Sequence, residues 1–226
     1  MSGTMRLAIL NPNSTAWMTD DMVAAARAVA PAGVEVVGLT NAAAPPAIQG
    51  PEDAVACLPG LVDLYDAALR DGARAVVIGC FDDTGIDLLR ARGTVPVAGL
   101  GEAACREAAA AAQRFHVVTT LAVSVPVIEE NIRAIGLARL CGSVRASGVP
   151  VLDLQARKAE VQSALDAVVA EDPEAAIVLG CAGMSPIARE LRGPAAAPLV
   201  DPVRAAVTRA VEAAVAAGAA PVMSGR

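Results

Sequence analysis

Two stretches of the chain repeat one pattern, and this repeat constrains the fold more than any other feature. Residues 75–78 and 175–179 are continuously apolar, and each run leads into Gly-Cys, at Cys80 and at Cys181. Such runs are typical of strands buried on both faces of a parallel sheet. Because ligands of open α/β sheets bind beyond the carboxyl ends of the strands, we predict that both thiols face one substrate.

Strand-like and helix-like segments alternate along the whole chain. Besides the two runs above, strands are predicted at 6–10, 34–38, 95–98, 115–118, 137–144 and 198–200. Helices are predicted at about 15–30, 51–70, 83–92, 102–113, 126–135, 154–170 and 202–217, with a further helix start at Ser185. This alternation predicts a parallel α/β fold.

A second repeat supports two related lobes. Residues 6–11 are similar to residues 114–119 at an offset of 108, and the two Gly-Cys positions are offset by 101. Since both elements recur in the same order at similar spacing, we expect two lobes whose strand ends share a cleft.

Composition and charge exclude several classes of protein. The net charge is −6 and the arginines are scattered, so we expect no nucleic-acid partner. No uncharged apolar stretch reaches the roughly 18 residues that span a bilayer, and the N-terminal segment has no signal-peptide pattern. We therefore expect no membrane association, a cytoplasmic location and five free cysteine thiols.

The chain has few residues suited to metal or cofactor chemistry. His116 is the only histidine and Lys158 the only lysine, which disfavours a histidine-ligated zinc site, a serine-protease triad and a pyridoxal phosphate enzyme. Neither a G-x-G-x-x-G nor a G-x-x-x-x-G-K motif is present, so dinucleotide and phosphate-loop sites lack support.

Five short motifs occur in order along nearly the whole chain. They are Leu-Asn-Pro-Asn-Ser-Thr at 10–15, Gly-Cys-Phe-Asp-Asp at 79–83, Val-Thr-Thr at 118–120, Ile-Glu-Glu-Asn at 128–131 and Leu-Gly-Cys-Ala-Gly-Met at 179–184. Each motif alone is weak, but the set resembles the aspartate/glutamate racemase superfamily, specifically its hydantoin and allantoin racemase branch.

The resemblance implies a fold, a mechanism and an assembly. The fold is two pseudo-symmetric flavodoxin-like lobes, each a mostly parallel sheet flanked by helices, with the active site in the cleft between them. We expect the first lobe at 1–98, the second at 99–201, and a terminal helix at 202–226 that packs back on the first lobe. The resemblance also implies two-thiol proton transfer, no cofactor, no metal and a homo-oligomer.

Three positions depart from the pattern of the branch. Gln49 stands where close relatives tend to carry glutamate, residues 122–124 (Ala-Val-Ser) lack an expected arginine, and Pro202 replaces the glycine of an Asp-Gly pair. The first two differences are positioned to alter substrate choice without touching the proton-transfer pair.

Racemisation explains why two cysteines are needed. Inverting a carbon next to a carbonyl requires removing a proton from one face and returning one on the other, so two acid/base groups must flank it. The pKa of a free cysteine is about 8.5, and helix starts at Asp83 and Ser185 are expected to favour the thiolates, whereas the carboxylates of Asp82 and Asp83 oppose them.

The predicted substrate-binding residues are Asn13, Gln49, Phe81, Asp82, Thr119, Thr120, Ala182 and Gly183. Some of them are expected to act through backbone N–H groups that stabilise an enolate.

Other polar and sulfur-containing residues have simpler roles. Cys57, Cys105 and Cys141 are expected to be core residues of two helices and a strand, since free cysteine is among the most buried residue types. His116 alternates within an apolar strand and is expected to be structural. For Asp83, capping a helix is favoured over catalysis.

The leading hypothesis is a cofactor-independent racemase of a 5-substituted hydantoin or of the related ureide allantoin. An aspartate/glutamate racemase is the first alternative, disfavoured because Phe-Asp-Asp follows Cys80 where amino-acid racemases tend to place small polar residues. A maleate isomerase-like enzyme would use the same pair of cysteines and is a second alternative. An arylmalonate-type decarboxylase is disfavoured further, because its chemistry resembles a version of this site with only one cysteine. A non-catalytic, two-lobed small-molecule-binding protein is the alternative outside enzymes.

Overall fold

The computed structural model describes residues 4–218, which form two four-stranded parallel sheets. The first sheet has the order β2-β1-β3-β4 and contains β1 (Met5–Asn11), β2 (Val34–Thr40), β3 (Ala73–Ile78) and β4 (Val97–Gly99). The second has the order β6-β5-β7-β8 and contains β5 (Phe115–Thr119), β6 (Cys141–Ala146), β7 (Ala176–Leu179) and β8 (Leu199–Val200). The identical strand order confirms the repeat predicted from the sequence.

Helices connect and flank the strands. They are α1 (Ala16–Arg27), α2 (Pro51–Arg70), α3 (Ile86–Arg90), α4 (Leu100–Ala111), α5 (Val125–Ala134), α6 (Lys158–Glu171) and α7 (Pro202–Ala216). Three 3₁₀ segments lie at Ala122–Ser124, Val151–Asp153 and Ala182–Ile187. The predicted α/β class is confirmed, although β6 begins four residues later than predicted and the helix predicted from residue 154 begins at Lys158.

The central strands are apolar on both faces because both faces are covered. In β1, Leu7 and Ile9 pack into one hydrophobic cluster, whereas Ala8 and Leu10 pack into another on the opposite face. Residues 75–78 of β3 divide in the same alternating way between the two clusters. This burial explains the continuous apolar runs, since alternation would appear only if one face met water.

The last helix, α7, packs against β3 and β4 of the first sheet and against α4. Asp201 caps it, because its carboxylate accepts hydrogen bonds from the backbone N–H groups of Val203 and Arg204. The helix ends at Ala216, and residues 219–226 of the predicted terminal helix lie outside the described residues. The lobe boundary near residues 98 and 99 stays a prediction. Within residues 4–218, no helix is long and apolar enough to cross a membrane.

The two helix starts predicted after the Gly-Cys pairs are wrong. Ser185 lies inside a 3₁₀ segment and caps nothing; its hydroxyl donates to Asp201 Oδ1 at 2.7 Å. Asp83 does not cap the short helix α3, whose preceding residue is Gly85. Its carboxylate instead accepts from the N–H groups of Gly101 and Glu102 at 2.9 and 2.7 Å, in the first turn of α4.

One buried hydroxyl yields a stability prediction. Tyr65 belongs to α2 and is fully buried in the hydrophobic cluster between this helix and the first sheet. Its hydroxyl makes no hydrogen bond within the described part of the chain. An unsatisfied buried hydroxyl costs about 1–3 kcal/mol, so Tyr65→Phe is expected to raise the free energy of unfolding by about 1 kcal/mol. Chemical denaturation measures this change. Leu61→Ala, in the same cluster, should lower stability by about 3 kcal/mol, and a loss of stability in Tyr65→Phe would contradict the assignment.

Candidate active site

The two thiols follow glycines at the carboxyl ends of β3 and β7. Gly79 donates to the carbonyl of Leu10 and Gly180 to the carbonyl of Val118, both at 2.8 Å, so each glycine extends its sheet by one hydrogen bond. A Cβ at Gly79 would lie 2.7 Å from Met22 Sδ, and one at Gly180 would lie 2.9 Å from Thr119 Cα. At Gly180 the neighbour is backbone, so only glycine permits the approach, whereas at Gly79 a side chain would require the flexible Met22 side chain to move. Each chain then turns and presents its cysteine.

Both thiols line a single small cavity of about 30 Å³. The residues around it come from both halves of the chain and are Asn13, Met18, Ile48, Gly79, Cys80, Phe81, Val151, Cys181 and Ala182. The structure therefore brings together the two cysteines that the repeat singled out, along with the predicted residues Asn13, Phe81 and Ala182.

Asn13 is held in place by a local network. Its Oδ1 accepts from Asn11 Nδ2 at 3.0 Å and from the N–H of Thr15 at 2.9 Å. Its Nδ2 is left with a weak contact to Met18 Sδ at 3.8 Å. The asparagine therefore offers an amide N–H at the cavity wall, where a carbonyl oxygen of a ligand can accept from it.

Three other predicted binding residues do not line the cavity. Gln49 does not line the cavity; its Oε1 accepts from the N–H of Val151 at 3.2 Å and so joins the loop before α2 to the second half of the chain. The Thr119 hydroxyl donates to the carbonyl of Gly180 at 2.9 Å, and Thr120 is buried, its carbonyl accepting from Gly148. Neither threonine is among the residues that line the cavity.

Gly183 lies directly behind Cys181. A Cβ at Gly183 would be 3.7 Å from Cys181 Sγ, and the backbone N–H of Gly183 hydrogen-bonds the thiol. Asp82 follows Phe81 in the turn after Cys80 and lies near enough to both thiols for its charge to act on their pKa values.

Several lining residues were not predicted. Met18, Ile48 and Val151 form apolar walls, and Thr84 Oγ1 lies 3.6 Å from Cys80 Sγ. Apolar wall residues carry no chemical signature that separates them from ordinary core positions. Thr84 had a usable signal, because it lies four residues after Cys80 in a turn that folds back on the thiol.

The structure corrects the expectation that helix dipoles favour the thiolates. Burial raises the pKa of Cys80 well above its ordinary value, and the charge of Asp82 adds to this rise. Burial is also the main cause that raises the pKa of Cys181 to about 12, with a smaller contribution from the charge of Asp82. Hydrogen bonds from Thr84 to Cys80 and from Gly183 to Cys181 lower the two pKa values, but each has a smaller effect than burial. Both cysteines are therefore protonated at neutral pH.

The two carboxyl groups beside Cys80 are also affected by burial. Burial raises the pKa of Asp82 to about 6, against the hydrogen bond donated by Ser124. It raises the pKa of Asp83 to about 7, against the two N–H groups of α4. The Asp83 carboxylate therefore binds the start of α4, whereas the Asp82 carboxylate accepts from Ser124.

The other three cysteines and the histidine do not line the cavity. All five cysteines are free thiols, with Cys57 and Cys105 buried on α2 and α4 and Cys141 at the start of β6. His116 lies between Ser143 Oγ at 2.8 Å and Asp172 Oδ2 at 3.3 Å, away from the cavity. Among residues 4–218, no group of three or more histidine, cysteine or acidic side chains is arranged to hold a metal ion.

Comparison with known proteins identifies the family. Residues 7–210 match the family model described as Asp/Glu/Hydantoin racemase. The chain belongs to this racemase family. It is 38% identical to the hydantoin racemase of Rhizobium meliloti over 210 residues, covering 91% of this chain and 87% of that one.

Two further racemases are similar to this chain over nearly its whole length. The hydantoin racemase of Paenarthrobacter aurescens is 32% identical over 219 residues, covering 95% of this chain and 92% of that one. The allantoin racemase structure from Klebsiella pneumoniae has a TM-score of 0.89 at 34% identity, covering 98% of this chain and 91% of that one. The resemblance and the two-lobed α/β fold are confirmed, and the chain is an isomerase of the racemase type.

Proposed function

We propose that the protein is a cofactor-independent racemase of 5-substituted hydantoins or allantoin, with Cys80 and Cys181 as the opposed acid/base pair. The observation that carries this proposal is that two thiols, from equivalent positions of the two repeats, line one cavity. Family members related over nearly the whole chain are hydantoin and allantoin racemases, which supports the same substrate class.

The proposed reaction needs one thiolate and one thiol. The thiolate removes the proton from the ring carbon next to the carbonyl, and negative charge moves onto the carbonyl oxygen. The opposite thiol then gives its proton to the other face, so the enzyme ends with the two roles exchanged. The Asn13 amide and the N–H group of Ala182 are the proposed stabilisers of the enolate oxygen, since both residues line the cavity, whereas the N–H of Gly183 is bonded to the Cys181 thiol.

The charges around the cavity favour a neutral ring over an amino acid. No arginine, lysine or histidine is among the residues that line the cavity, so an α-carboxylate would lack a cationic partner there. The carboxylate of Asp82 near the thiols would also repel an anionic substrate. A hydantoin ring is neutral and delocalises the carbanion through its own carbonyl groups, and so it avoids both costs.

The substrate panel tests this proposal directly. Optical rotation is followed with single enantiomers of 5-alkyl hydantoins, allantoin, aspartate and glutamate. Racemisation of a hydantoin or of allantoin, without racemisation of the amino acids, is the expected result. Racemisation of aspartate or glutamate alone, or inertness toward the whole panel, would overturn the assignment.

The size of the cavity leads to a prediction about Gln49. A cavity of about 30 Å³ holds one or two waters and is too small for a hydantoin ring, so the loop carrying Ile48 and Gln49 must shift to admit substrate and then close again. Gln49→Ala removes the hydrogen bond to Val151 that holds this loop closed. Loss of one such bond costs about 1 kcal/mol, so we expect KM to rise about fivefold with a smaller change in kcat.

The matched control is Gln49→Glu, whose carboxylate can still accept from the N–H of Val151. It should keep KM within about twofold of wild type, since the bond is retained. Steady-state kinetics on the same hydantoin measure both variants. Equal effects of the two substitutions, or a fall in kcat without a change in KM, would show that Gln49 does not act through Val151.

Two further expectations belong to this proposal. Five free thiols fit a reducing compartment such as the cytoplasm. The racemase branch implies a homo-oligomer, which light scattering of the purified protein tests.

A further inference from the structure

The turn that follows Cys80 has a strained backbone. The N–H of Asp83 donates to the carbonyl of Cys80 at 3.2 Å and closes a four-residue turn. Asp83 ends this turn with φ of 50°, and within residues 4–218 it is the one left-handed residue that is not glycine. Such a conformation costs free energy and persists only where surrounding contacts hold it. The position of Cys80 therefore depends on the groups that hold this turn.

The turn is held from two sides. On one side, the Asp83 carboxylate accepts from the first turn of α4. On the other side, Asn131 Nδ2 donates to the backbone carbonyl of Asp82 at 2.8 Å, and Ser124 Oγ donates to Asp82 Oδ2 at 3.3 Å. Asn131 belongs to α5 and Ser124 to the 3₁₀ segment before it. Both of these bonds therefore come from the second half of the chain.

One face of α5 packs against this turn. Ile128 and Asn131 are three residues apart and so lie on the same face of the helix. Ile128 is buried in the same hydrophobic cluster as Phe81. Together with Phe81 and Asp83, both α5 residues line a second small cavity of about 10 Å³. The two glutamates between them are exposed. This packing accounts for the Ile-Glu-Glu-Asn motif, whose first and last residues contact the turn.

The turn after Cys181 is built differently. It is the start of the 3₁₀ segment Ala182–Ile187, in which the N–H of Met184 donates to the carbonyl of Cys181 at 3.1 Å. None of residues 181–187 has a positive φ. The hydrogen bond from Ser185 to Asp201 supports this segment from within the same half of the chain. The support that α5 supplies therefore acts on one of the two thiols.

We propose that Asn131 is a positioning residue for Cys80. By holding the carbonyl of Asp82, its amide fixes the turn so that the Cys80 thiol faces Cys181 across the cavity. Asn131 does not line that cavity, so it acts through the turn and not on the substrate. This inference rests on the proposed racemase function and adds to it a residue from the second half of the chain that controls the acid/base group of the first.

Replacing Asn131 with alanine tests this role. The substitution leaves the carbonyl of Asp82 without its donor and lets the strained turn relax. Since a shift of about 1 Å in a reacting group can cost about 100-fold in rate, we expect kcat to fall at least about tenfold. KM should change less than about twofold, because no contact with the cavity is lost. Alanine favours a helix more than asparagine does, so Tm should fall by no more than about 4 °C.

Three further variants separate the amide from the rest of the side chain. Asn131→Asp keeps the shape but replaces the donor with an oxygen, and it should lose at least as much kcat as Asn131→Ala. Asn131→Gln keeps an amide donor and should return kcat to within about fivefold of wild type. Glu129→Gln, an exposed change on the same helix, should leave kcat and KM within about twofold.

The outcomes that overturn the inference are specific. They are wild-type kcat in Asn131→Ala, equal losses in Asn131→Ala and Asn131→Gln, or a rise in KM without a fall in kcat. Should Asn131→Ala not fold, Asn131→Asp, which has the shape of the natural side chain, carries the same test.

Isotope exchange in D₂O shows which thiol is affected. The two enantiomers have equal free energy, so kcat/KM for racemisation stays equal in the two directions in every variant. A misplaced Cys80 instead separates exchange from inversion. Cys181 still removes the proton of one enantiomer, but Cys80 protonates the opposite face more slowly. The enolate then takes a deuteron back from Cys181, whose thiol has exchanged with solvent.

The ratio of exchange to inversion in Asn131→Ala should therefore rise at least about threefold for one enantiomer, the one that Cys80→Ser still exchanges. A general loss of structure would lower exchange and inversion together and leave the ratio unchanged. An unchanged ratio for both enantiomers, or a rise for the enantiomer that Cys181→Ser still exchanges, overturns the inference.

A measurement without substrate separates this inference from the proposed function. Alkylation of each cysteine by iodoacetamide is followed by peptide mass spectrometry. In Asn131→Ala the ratio of Cys80 to Cys181 alkylation should rise at least about threefold, because only the turn of Cys80 is released. The buried thiols of Cys57 and Cys105 should react as in wild type. An unchanged ratio, or faster alkylation of all the buried cysteines, overturns the inference. A changed ratio in an enzyme whose wild type racemises no hydantoin or allantoin would overturn the proposed function alone.

Discussion

Replacing either Cys80 or Cys181 with serine is expected to lower the racemisation rate at least about 10³-fold. General acid/base groups contribute about 10²–10⁴ each, and a serine hydroxyl is a far weaker acid than a thiol. Both cysteines line the same cavity, so each is expected to serve one face of the substrate. Loss of optical rotation, followed from each pure enantiomer, measures the effect.

Cys141→Ser is the matched control for this prediction. Cys141 is a partly exposed thiol at the start of β6, away from the cavity, and its replacement should leave the rate within about twofold. Thermal unfolding of all three variants shows that each is folded. Full activity in Cys80→Ser or in Cys181→Ser would mean that the two-thiol mechanism is wrong.

The second large effect concerns stability at Asp83. This residue has a left-handed backbone with φ of 50°, and its carboxylate satisfies two N–H groups at the start of α4. Asp83→Ala leaves both donors without a partner and places alanine in a conformation that it disfavours. We expect the free energy of unfolding to fall by about 3 kcal/mol, as measured by chemical denaturation.

Asp83→Asn separates the two contributions. Asparagine tolerates the left-handed conformation and can accept from one of the two N–H groups, so about half of the loss is expected. Asp87→Ala, on the exposed side of α3, should change stability by less than about 0.5 kcal/mol. If Asp83→Ala were as stable as Asp87→Ala, Asp83 would not hold α4 in place.

The sequence predicted the two thiols because their signal is local and occurs twice. An apolar run followed by Gly-Cys marks a buried strand and its end, and the same strand order in both sheets then places Cys80 and Cys181 equivalently. The rest of the wall could not be predicted in this way. Met18 and Val151 are chemically ordinary core residues, and their approach to the thiols depends on how the two sheets pack.

Contacts between distant residues also escaped prediction. Gln49 and Val151 are 102 residues apart, and no local pattern links them. Asp83 was expected to cap the adjacent helix α3, but its carboxylate instead accepts from N–H groups 18 and 19 residues further along, in α4. A cap of this kind depends on the path of the chain, which the local sequence does not specify.

The contribution of helix dipoles to the ionisation of the thiols was overestimated for a physical reason. The expected dipoles required helices beginning at Asp83 and Ser185, yet α3 has five residues and the segment after Cys181 is a short 3₁₀ turn. Burial in the cavity therefore dominates and raises the pKa of both thiols. The extent of burial becomes known only with the fold.

Proton NMR in D₂O tests the central claim most directly. Single enantiomers of a racemised hydantoin are incubated with wild type, Cys80→Ser and Cys181→Ser, and loss of the signal from the ring proton is followed alongside optical rotation. Two opposed thiols predict that wild type exchanges and racemises both enantiomers, whereas each variant loses racemisation and retains exchange with only one enantiomer, a different one in each case. Retained racemisation in either variant, or exchange of the same enantiomer by both, would contradict the account.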